Sequence, residues 1–155
     1  MNDFKPFDDK LAALIASLSP SGRRRMASDI AKKLRQRQQR RIKSQKAPDG
    51  TPYAARRQQP IRAKNGRIKR EMFARLRTSR FLKAKGSDSE AAIEFAGKVQ
   101  RMAKVHQYGL RDKPGPKSQA VEYPARPLLG FDKQSKKQIE ELVIQHLFEN
   151  YHSQE

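Results

Sequence analysis

The sequence contains no cysteine and no tryptophan, and it has no long run of apolar residues. Without cysteine it forms no disulfide, has no thiol nucleophile and binds no zinc through sulfur. No run approaches the roughly 20 apolar residues that a membrane span needs. The first ten residues, MNDFKPFDDK, include acids and lack an apolar core, so we predict no signal peptide. We therefore expect the chain to be made in the cytoplasm.

Hydrophobic residues are scarce as well. They make up 35% of the 155 residues, whereas an average globular chain has about 45–50%. Charged residues account for a further 33%. A chain of this length suits one domain, so we expect a single domain over residues 1–155 with a modest core and long solvated segments.

Residues with the spacing of a catalytic or metal site are also missing. The three histidines, His106, His146 and His152, form no HxxxH or HExxH pair. The acids are scattered, and the glycines of residues 21–86 stand alone rather than in a phosphate-binding loop. We expect His106 to pack at a helix end and the other two to lie on the surface. The sequence therefore predicts a protein that is not an enzyme and that needs no cofactor and no metal.

The positive charge is concentrated in one segment. The formal net charge is +19, and residues 21–86 contain 23 of the 35 Lys and Arg but only three of the 16 Asp and Glu. Such a block repels itself unless nucleic acid, an acidic protein or another anionic surface neutralises it. A charged, solvated face without a partner is the alternative. The cations that we predict to contact an anion or an acidic partner are Arg35, Arg37, Arg40, Arg41, Lys43, Arg56, Arg57, Arg62, Arg67 and Arg70.

Aromatic residues are rare in this basic block. Tyr53, Phe73 and Phe81 are the only ones between residues 21 and 86. Proteins that bind single strands by base stacking use aromatic side chains, and no zinc finger, leucine-zipper heptad or RNA-recognition motif is present. The block therefore favours contacts with phosphate or carboxylate groups over the reading of bases.

Apolar spacing predicts two helices in the N-terminal part, residues 1–46. The first extends from about Phe4 to Leu18. Ser19 as N-cap and Pro20 at the first helical position predict a second helix over residues 20–46, with a thin apolar stripe and basic faces. Pro48-Asp49-Gly50-Thr51 predicts a turn. Residues 47–68 are then expected to form an extended basic loop or arm.

The remaining residues, 69–155, are predicted to form an α+β core. Helical character returns over residues 69–78, and strands over 81–85 and 91–95 flank a Gly-Ser-Asp-Ser hairpin turn. A short helix should end at Tyr108-Gly109, and residues 111–119 should form a loop. The residues that we expect on the buried face of this helix are Val99, Met102, Ala103 and His106.

The last helix is the clearest element. Its predicted apolar stripe consists of Ile139, Leu142, Val143, His146 and Leu147. Ser135 and Gln138 have the spacing of a capping box at its start. The expected fold class is α+β and mostly helical, with a long basic N-terminal helix, a small antiparallel sheet and a C-terminal helix.

Three segments together resemble a known family. The first joins the end of the basic helix to APDGTPYAARR, the second is VQRMAKVHQYGL, and the third is YPARPLLGF, directly before the last helix. In this order and spacing they resemble the phage virion-morphogenesis family, also called the tail-completion protein S family, of contractile-tailed bacteriophages. The resemblance covers residues 11–147, and the Ala-Arg-Pro-Leu-Leu-Gly run is its most characteristic part.

The resemblance implies structural work late in phage assembly. Such proteins act at the head-proximal end of the tail, where a finished tail becomes able to join a DNA-filled head, and they are not enzymes. By analogy with other neck proteins, it implies a homo-oligomer, a hexameric ring, within the virion and in the host cytoplasm during assembly. Its partners would be other tail-end and neck proteins, and no membrane. The basic block would face either phage DNA in the channel or an acidic neighbouring ring, and the resemblance does not choose between these. The motif positions that it implies to be structural are Pro48, Asp49, Gly50, Tyr53, His106, Gly109, Arg126, Pro127, Leu128 and Gly130.

A second function class remains compatible with the residues. The basic block and the sequence pI of about 10.7 also suit a non-sequence-specific nucleic-acid-binding protein of the cell, associated with ribosomes or the nucleoid. The scarcity of aromatic residues and the lack of a binding motif weigh against this alternative.

Overall fold

The computed structural model describes residues 5–56 and 71–152, with the side chains of residues 9–56 and 71–150. The predicted fold class is confirmed: the described chain is α+β and mostly helical. Its four strands form two small two-stranded sheets rather than one. The elements in chain order are helix α1 (Lys5–Ala16), helix α2 (Pro20–Lys43), strands β1 (Leu82–Gly86) and β2 (Ala91–Phe95), a 3₁₀ turn (Gly97–Val99), helix α3 (Gln100–Tyr108), strands β3 (Arg111–Asp112) and β4 (Val121–Glu122), and helix α4 (Lys133–His152).

The chain divides into two compact units. The first comprises Met1–Arg35, Ala84–Ile93 and Lys133–Glu155, and the second comprises Gln36–Lys83 and Glu94–Asp132. The expectation of one domain over the whole chain stays a prediction.

Helix α2 is the long basic helix that the sequence predicts. Ser19 caps it as expected, because the Gly22 backbone N–H donates to Ser19 Oγ at 3.0 Å. The helix ends at Lys43 rather than Lys46. Gln45 has a left-handed backbone (φ 60°), and Lys46 forms an antiparallel bridge with Pro52 instead of continuing the helix. The turn between them is the predicted one, with Gly50 at φ 88° and its N–H donating to Ala47 O at 2.9 Å.

The core of the first unit lies among α1, the start of α2 and α4. Its buried members are Leu18, Met26, Ile30, Leu34 and Val143. The predicted stripe of α4 packs against them through its half-buried residues Ile139, Leu142 and Leu147, along with Leu11, Ile15 and Ile93. Gly86 approaches α2 so closely that a Cβ would lie 2.4 Å from the Ser28 nitrogen. A side chain at this end of β1 would therefore force the hairpin away from the helix.

His146 is not the surface group that the sequence suggested. Its ring Nε2 lies 2.8 Å from an Asp29 carboxylate oxygen, and its side chain is only 13% exposed. The pair connects α4 to α2 within the first unit. The side chain of His152 lies outside the described residues.

Four further expectations are wrong. Residues 71–78 form turns rather than helix, because Phe73 adopts a left-handed backbone at φ 67°. The predicted loop 111–119 begins with β3, which pairs with β4 through Arg111 and Glu122. Met102 is 51% exposed, and Val105 is buried in α3 instead. Ser135 is not an N-cap, because α4 already begins at Lys133.

Candidate functional site

The three motifs that carry the family resemblance meet in the second unit. We call this cluster the motif junction and define it as residues 48–56, 106–110 and 123–131. Arg126 is central to it and only 6% exposed. Its backbone N–H donates to His106 O at 2.7 Å, and its guanidinium donates to Ala54 O at 2.9 Å and Ala55 O at 3.1 Å. One residue of the third motif therefore binds both of the others.

Gln107 fastens the second motif to the third. Its side-chain oxygen accepts the backbone N–H groups of Leu128 at 2.8 Å and Leu129 at 3.0 Å. Its amide nitrogen donates to Leu129 O at 3.0 Å. Leu128 is fully buried, so its N–H would have no access to water if this side chain were removed. Gln107 thus supplies hydrogen-bond partners to the backbone of an irregular segment, as a neighbouring strand would.

The C-terminal half of α2 binds the same segment. Gln38 is 3% exposed and donates from its amide to Gly130 O at 3.1 Å. Arg41 donates to Leu128 O and to the Gln38 side chain, and to Lys46 O at 3.0 Å. Burial lowers the pKa of Arg41, and nearby Tyr53 opposes that shift. The hydrogen bonds of Gln38 and Arg41 therefore lie within the protomer.

Arg37 is occupied in the same way. Its Nε and Nη2 donate to the two carboxylate oxygens of Asp132 at 3.2 and 2.7 Å, which is the bidentate geometry that Arg prefers with carboxylates. Arg37 and Arg41 were both predicted to contact an external anion. Each makes internal contacts that such a role would have to displace.

Four rings form a chain of contacts, three of them in the junction and the fourth, Phe73, beside it. Tyr53 and Phe73 have centroids 5.6 Å apart, Phe73 and His106 4.9 Å, and His106 and Tyr123 5.1 Å, all edge to face. The Tyr53 hydroxyl donates to Pro127 O at 2.7 Å, and burial raises the pKa of Tyr53. His106 packs at a helix end as expected. Its Nδ1 is buried without a hydrogen-bond partner among the described residues.

Two glycines permit close backbone approach in the junction. Gly109 ends α3 in the left-handed conformation, at φ 66°, and a Cβ on it would lie 2.7 Å from the Ala125 nitrogen. A Cβ on Gly130 would lie 2.6 Å from the Pro48 ring. Among the motif positions that the resemblance implied to be structural, Asp49 and Gly50 are exposed in the turn and the others are buried or half-buried. Their structural role stays a prediction.

The predicted contact cations fall into different environments. Arg40, Lys43 and Arg56 are exposed, and Arg35 is half-buried. Arg41 binds the junction at Leu128, and Arg37 is paired with Asp132 directly after it. The remaining predicted contacts, Arg57, Arg62, Arg67 and Arg70, lie outside the described residues. The anion-contact role of this set stays a prediction.

Sequence reasoning missed the polar side chains that hold the junction together. Neither Gln38 nor Asp132 stands out in the sequence, and Gln107 occurs there only as one residue of the second motif. A sequence signal for Gln38 existed, since it lies one helical turn from Leu34 and Ile42, on the side of the apolar stripe.

The described residues contain no group of three or more His, Cys, Asp or Glu side chains that could hold a metal ion. No helix in the described part of the chain is both long and apolar enough to cross a membrane. What the junction does is hold backbone segments in fixed positions by buried hydrogen bonds.

Comparisons with known proteins agree with the motifs. The family model for the phage virion morphogenesis family matches residues 2–148. The chain is similar to the tail completion protein S of Escherichia phage P2, with 55% identity over 148 residues, which cover 95% of this chain and 99% of that protein. No solved structure matches the chain.

Replacing Gln107 by Ala should destabilise the second unit. The change leaves the Leu128 and Leu129 N–H groups without their acceptor, so we expect the free energy of unfolding to fall by about 2–4 kcal/mol. Urea denaturation monitored by circular dichroism measures the effect. Gln145→Ala is the matched control, because Gln145 is exposed and its change should stay within about 0.5 kcal/mol. Equal, small losses in the two variants would contradict the role assigned to Gln107.

His106 should make stability depend on pH. Burial first, and then Arg126, lower the pKa of His106 in the folded protein, so the unfolded chain takes up a proton at a higher pH. The free energy of unfolding should therefore fall as the pH drops below about 6.5. His106→Gln should remove this part of the slope in urea titrations between about pH 5 and 8, and His146→Gln should keep it. Identical slopes for wild type and His106→Gln would refute the assignment.

Proposed function

Because the chain belongs to the phage virion morphogenesis family, we propose that it completes the phage tail at its head-proximal end and enables the tail to join the head. The observation that carries this proposal is the 55% identity over nearly the full length of a protein named for tail completion. The motif junction supports it, because hydrogen bonds of Arg126 and Gln107 join the three motifs of the resemblance to one another there. The protein would then be part of the virion, and it would act in the host cytoplasm during assembly.

The proposed work is structural and not enzymatic. In an enzyme, the characteristic residues would form a set of reactive side chains around a cavity. The motif residues instead satisfy one another through backbone carbonyl and N–H groups. Such a framework keeps an irregular segment rigid, which suits a protein that must present a fixed surface to its neighbours.

Copies of the chain are proposed to assemble as a ring, hexameric by analogy with other neck and tail-end proteins. Several large apolar side chains support self-association, because they are exposed in the protomer although hydrophobic residues are scarce in the chain. Contact with another copy would bury them. Three lie in the first unit and four in the second. They are Leu14 (47% exposed), Ile144 (51%) and Phe148 (63%), and Met102 (51%), Tyr108 (65%), Leu110 (40%) and Phe131 (72%). A heterologous contact between such surfaces closes into a ring when the rotation per copy permits.

The exposed cations of α2 and the following turn are proposed to face an anionic partner at this end of the tail. Arg40 and Lys43 lie in the last turn of α2 and project from it. Their partner would be an acidic neck protein or DNA passing through the ring. Phosphate contacts of this kind are blind to sequence, as passage of a whole genome requires.

Reversing exposed charge separates this role from folding. Arg40→Glu with Lys43→Glu should leave the fold intact, since both side chains are exposed, but should repel an anionic partner. In cells infected with a phage that lacks its own tail completion protein, we expect this variant to leave tails and filled heads unjoined. Plaque counts and electron micrographs measure the result.

The matched control reverses two exposed lysines of α4, Lys136→Glu with Lys137→Glu, and should restore plaque formation. Arg37 and Arg41 are unsuitable for this test, because reversing them would also break the junction. Normal plaque formation by the Arg40 and Lys43 variant would refute a functional role for these charges. Failure of the wild-type chain itself to restore plaques would refute the tail-completion proposal.

A further inference from the structure

A basic cavity lies in the second unit, apart from the cations that the sequence singled out. It has a volume of about 580 Å³ and is lined by Arg75, Thr78, Arg80, Phe81 and Lys98. That volume is within the range of small-ligand sites, roughly 300–1,000 Å³. We call it the Phe81 cavity.

The cations of the Phe81 cavity are not neutralised. Within the described residues, neither Arg75, Arg80 nor Lys98 makes an ion pair, whereas nearby Glu71 is already paired with Arg77 at 3.1 Å. Three positive charges around one cavity repel each other and raise the local concentration of anions. All three side chains are exposed, so they are accessible to an anion from solution.

The cavity is built on fixed backbone. The Thr78 carbonyl accepts the N–H groups of Phe81 at 3.0 Å and Leu82 at 2.8 Å, and the Phe81 carbonyl accepts the Ala96 N–H at 2.7 Å. Lys98 lies in the 3₁₀ turn Gly97–Val99. These bonds fix the backbone from which the cavity side chains project, so binding has to order only the exposed side chains of Arg75, Arg80 and Lys98.

The wall of the cavity also contains an aromatic ring. The Arg80 guanidinium carbon lies 5.4 Å from the centroid of the Phe81 ring, so the cation is oriented by the ring as well as by charge. Arginine binds phosphate in a bidentate manner, and lysine binds it as a point charge. A carboxylate from an acidic protein would satisfy the cations but would make no use of Phe81.

We propose that the Phe81 cavity binds one nucleotide unit of a DNA strand, with its phosphate on Arg75, Arg80 and Lys98 and its sugar or base against Phe81. The contact is independent of sequence, because it involves the backbone and one ring face. This inference goes beyond the proposed function, since it requires neither a ring nor a place at the tail end. It concerns binding by the isolated protein.

The test measures binding of a short fluorescein-labelled single-stranded DNA to the purified full chain by fluorescence anisotropy, at several salt concentrations. The cavity variant is Arg75→Gln with Arg80→Gln and Lys98→Gln. The control is Arg24→Gln with Arg25→Gln and Lys32→Gln, three exposed cations of α2 whose loss changes the net charge equally. Thermal melting followed by circular dichroism verifies that both variants are folded.

We expect the cavity variant to bind at least about tenfold more weakly and to lose about 0.7 from the salt slope for each phosphate contact removed. The control should change the affinity by less than about threefold. Phe81→Leu keeps the charge, and its affinity should fall by about five- to a hundredfold if the ring contacts a base or sugar. Equal losses in the cavity and control variants would overturn the proposal, because they would indicate bulk charge alone.

A competing acidic peptide distinguishes a protein ligand from DNA. A glutamate-rich peptide with as many charges as the oligonucleotide should bind more weakly than the DNA does, and Phe81→Leu should not affect it. Tighter binding of the peptide, lost in the cavity variant and kept in Phe81→Leu, would overturn the proposal in favour of an acidic protein ligand. Neither result depends on plaque formation, so each is separable from failure of the tail-completion role.

Discussion

The buried guanidinium of Arg126 is the interaction on which the second unit depends. It donates to two carbonyls after the Pro48-Asp49-Gly50 turn, while its own backbone N–H binds the end of α3. Burial lowers its pKa, and neighbouring Arg56 lowers it further. The Ala54 and Ala55 carbonyls offset part of this cost, because they accept hydrogen bonds from the charged guanidinium. Removing this side chain would leave the Ala54 and Ala55 carbonyls without these two donors. Gln107 and Gln38 extend the same arrangement along the segment, which has no strand partner of its own there.

The positive charges of the chain thus do different work. Arg37, Arg41 and Arg126 are structural cations, whose donors are directed at a carboxylate or at backbone carbonyls inside the second unit. Arg75, Arg80 and Lys98 form no ion pair within the described residues and surround a cavity. Net charge alone does not distinguish the two groups, because both add equally to the +19. Only the geometry of their donors identifies which are available to a partner.

Local signals in the sequence were reliable where the physics is local. Ser19-Pro20 predicts the start of α2, and Gly109 predicts the end of α3, because capping and positive φ depend on the residue itself. The turn over residues 71–78 could not be predicted, since Gln45 holds it from another part of the chain. The Gln45 amide bonds both the N–H and the carbonyl of Met72, and such a contact has no signature in the local sequence.

The same distinction applies to the candidate site. The resemblance implied structural roles for ten positions of the junction, but it could not reveal that Gln38 and Arg41 of α2 bind the third motif from more than 80 residues away. We propose that the protein works by assembling with copies of itself, and that the rigid protomer makes this possible. Light scattering of nuclease-treated protein at low and high salt tests it most directly. We expect one discrete multimer at both salt concentrations, and a monomer at both would contradict the proposed self-assembly.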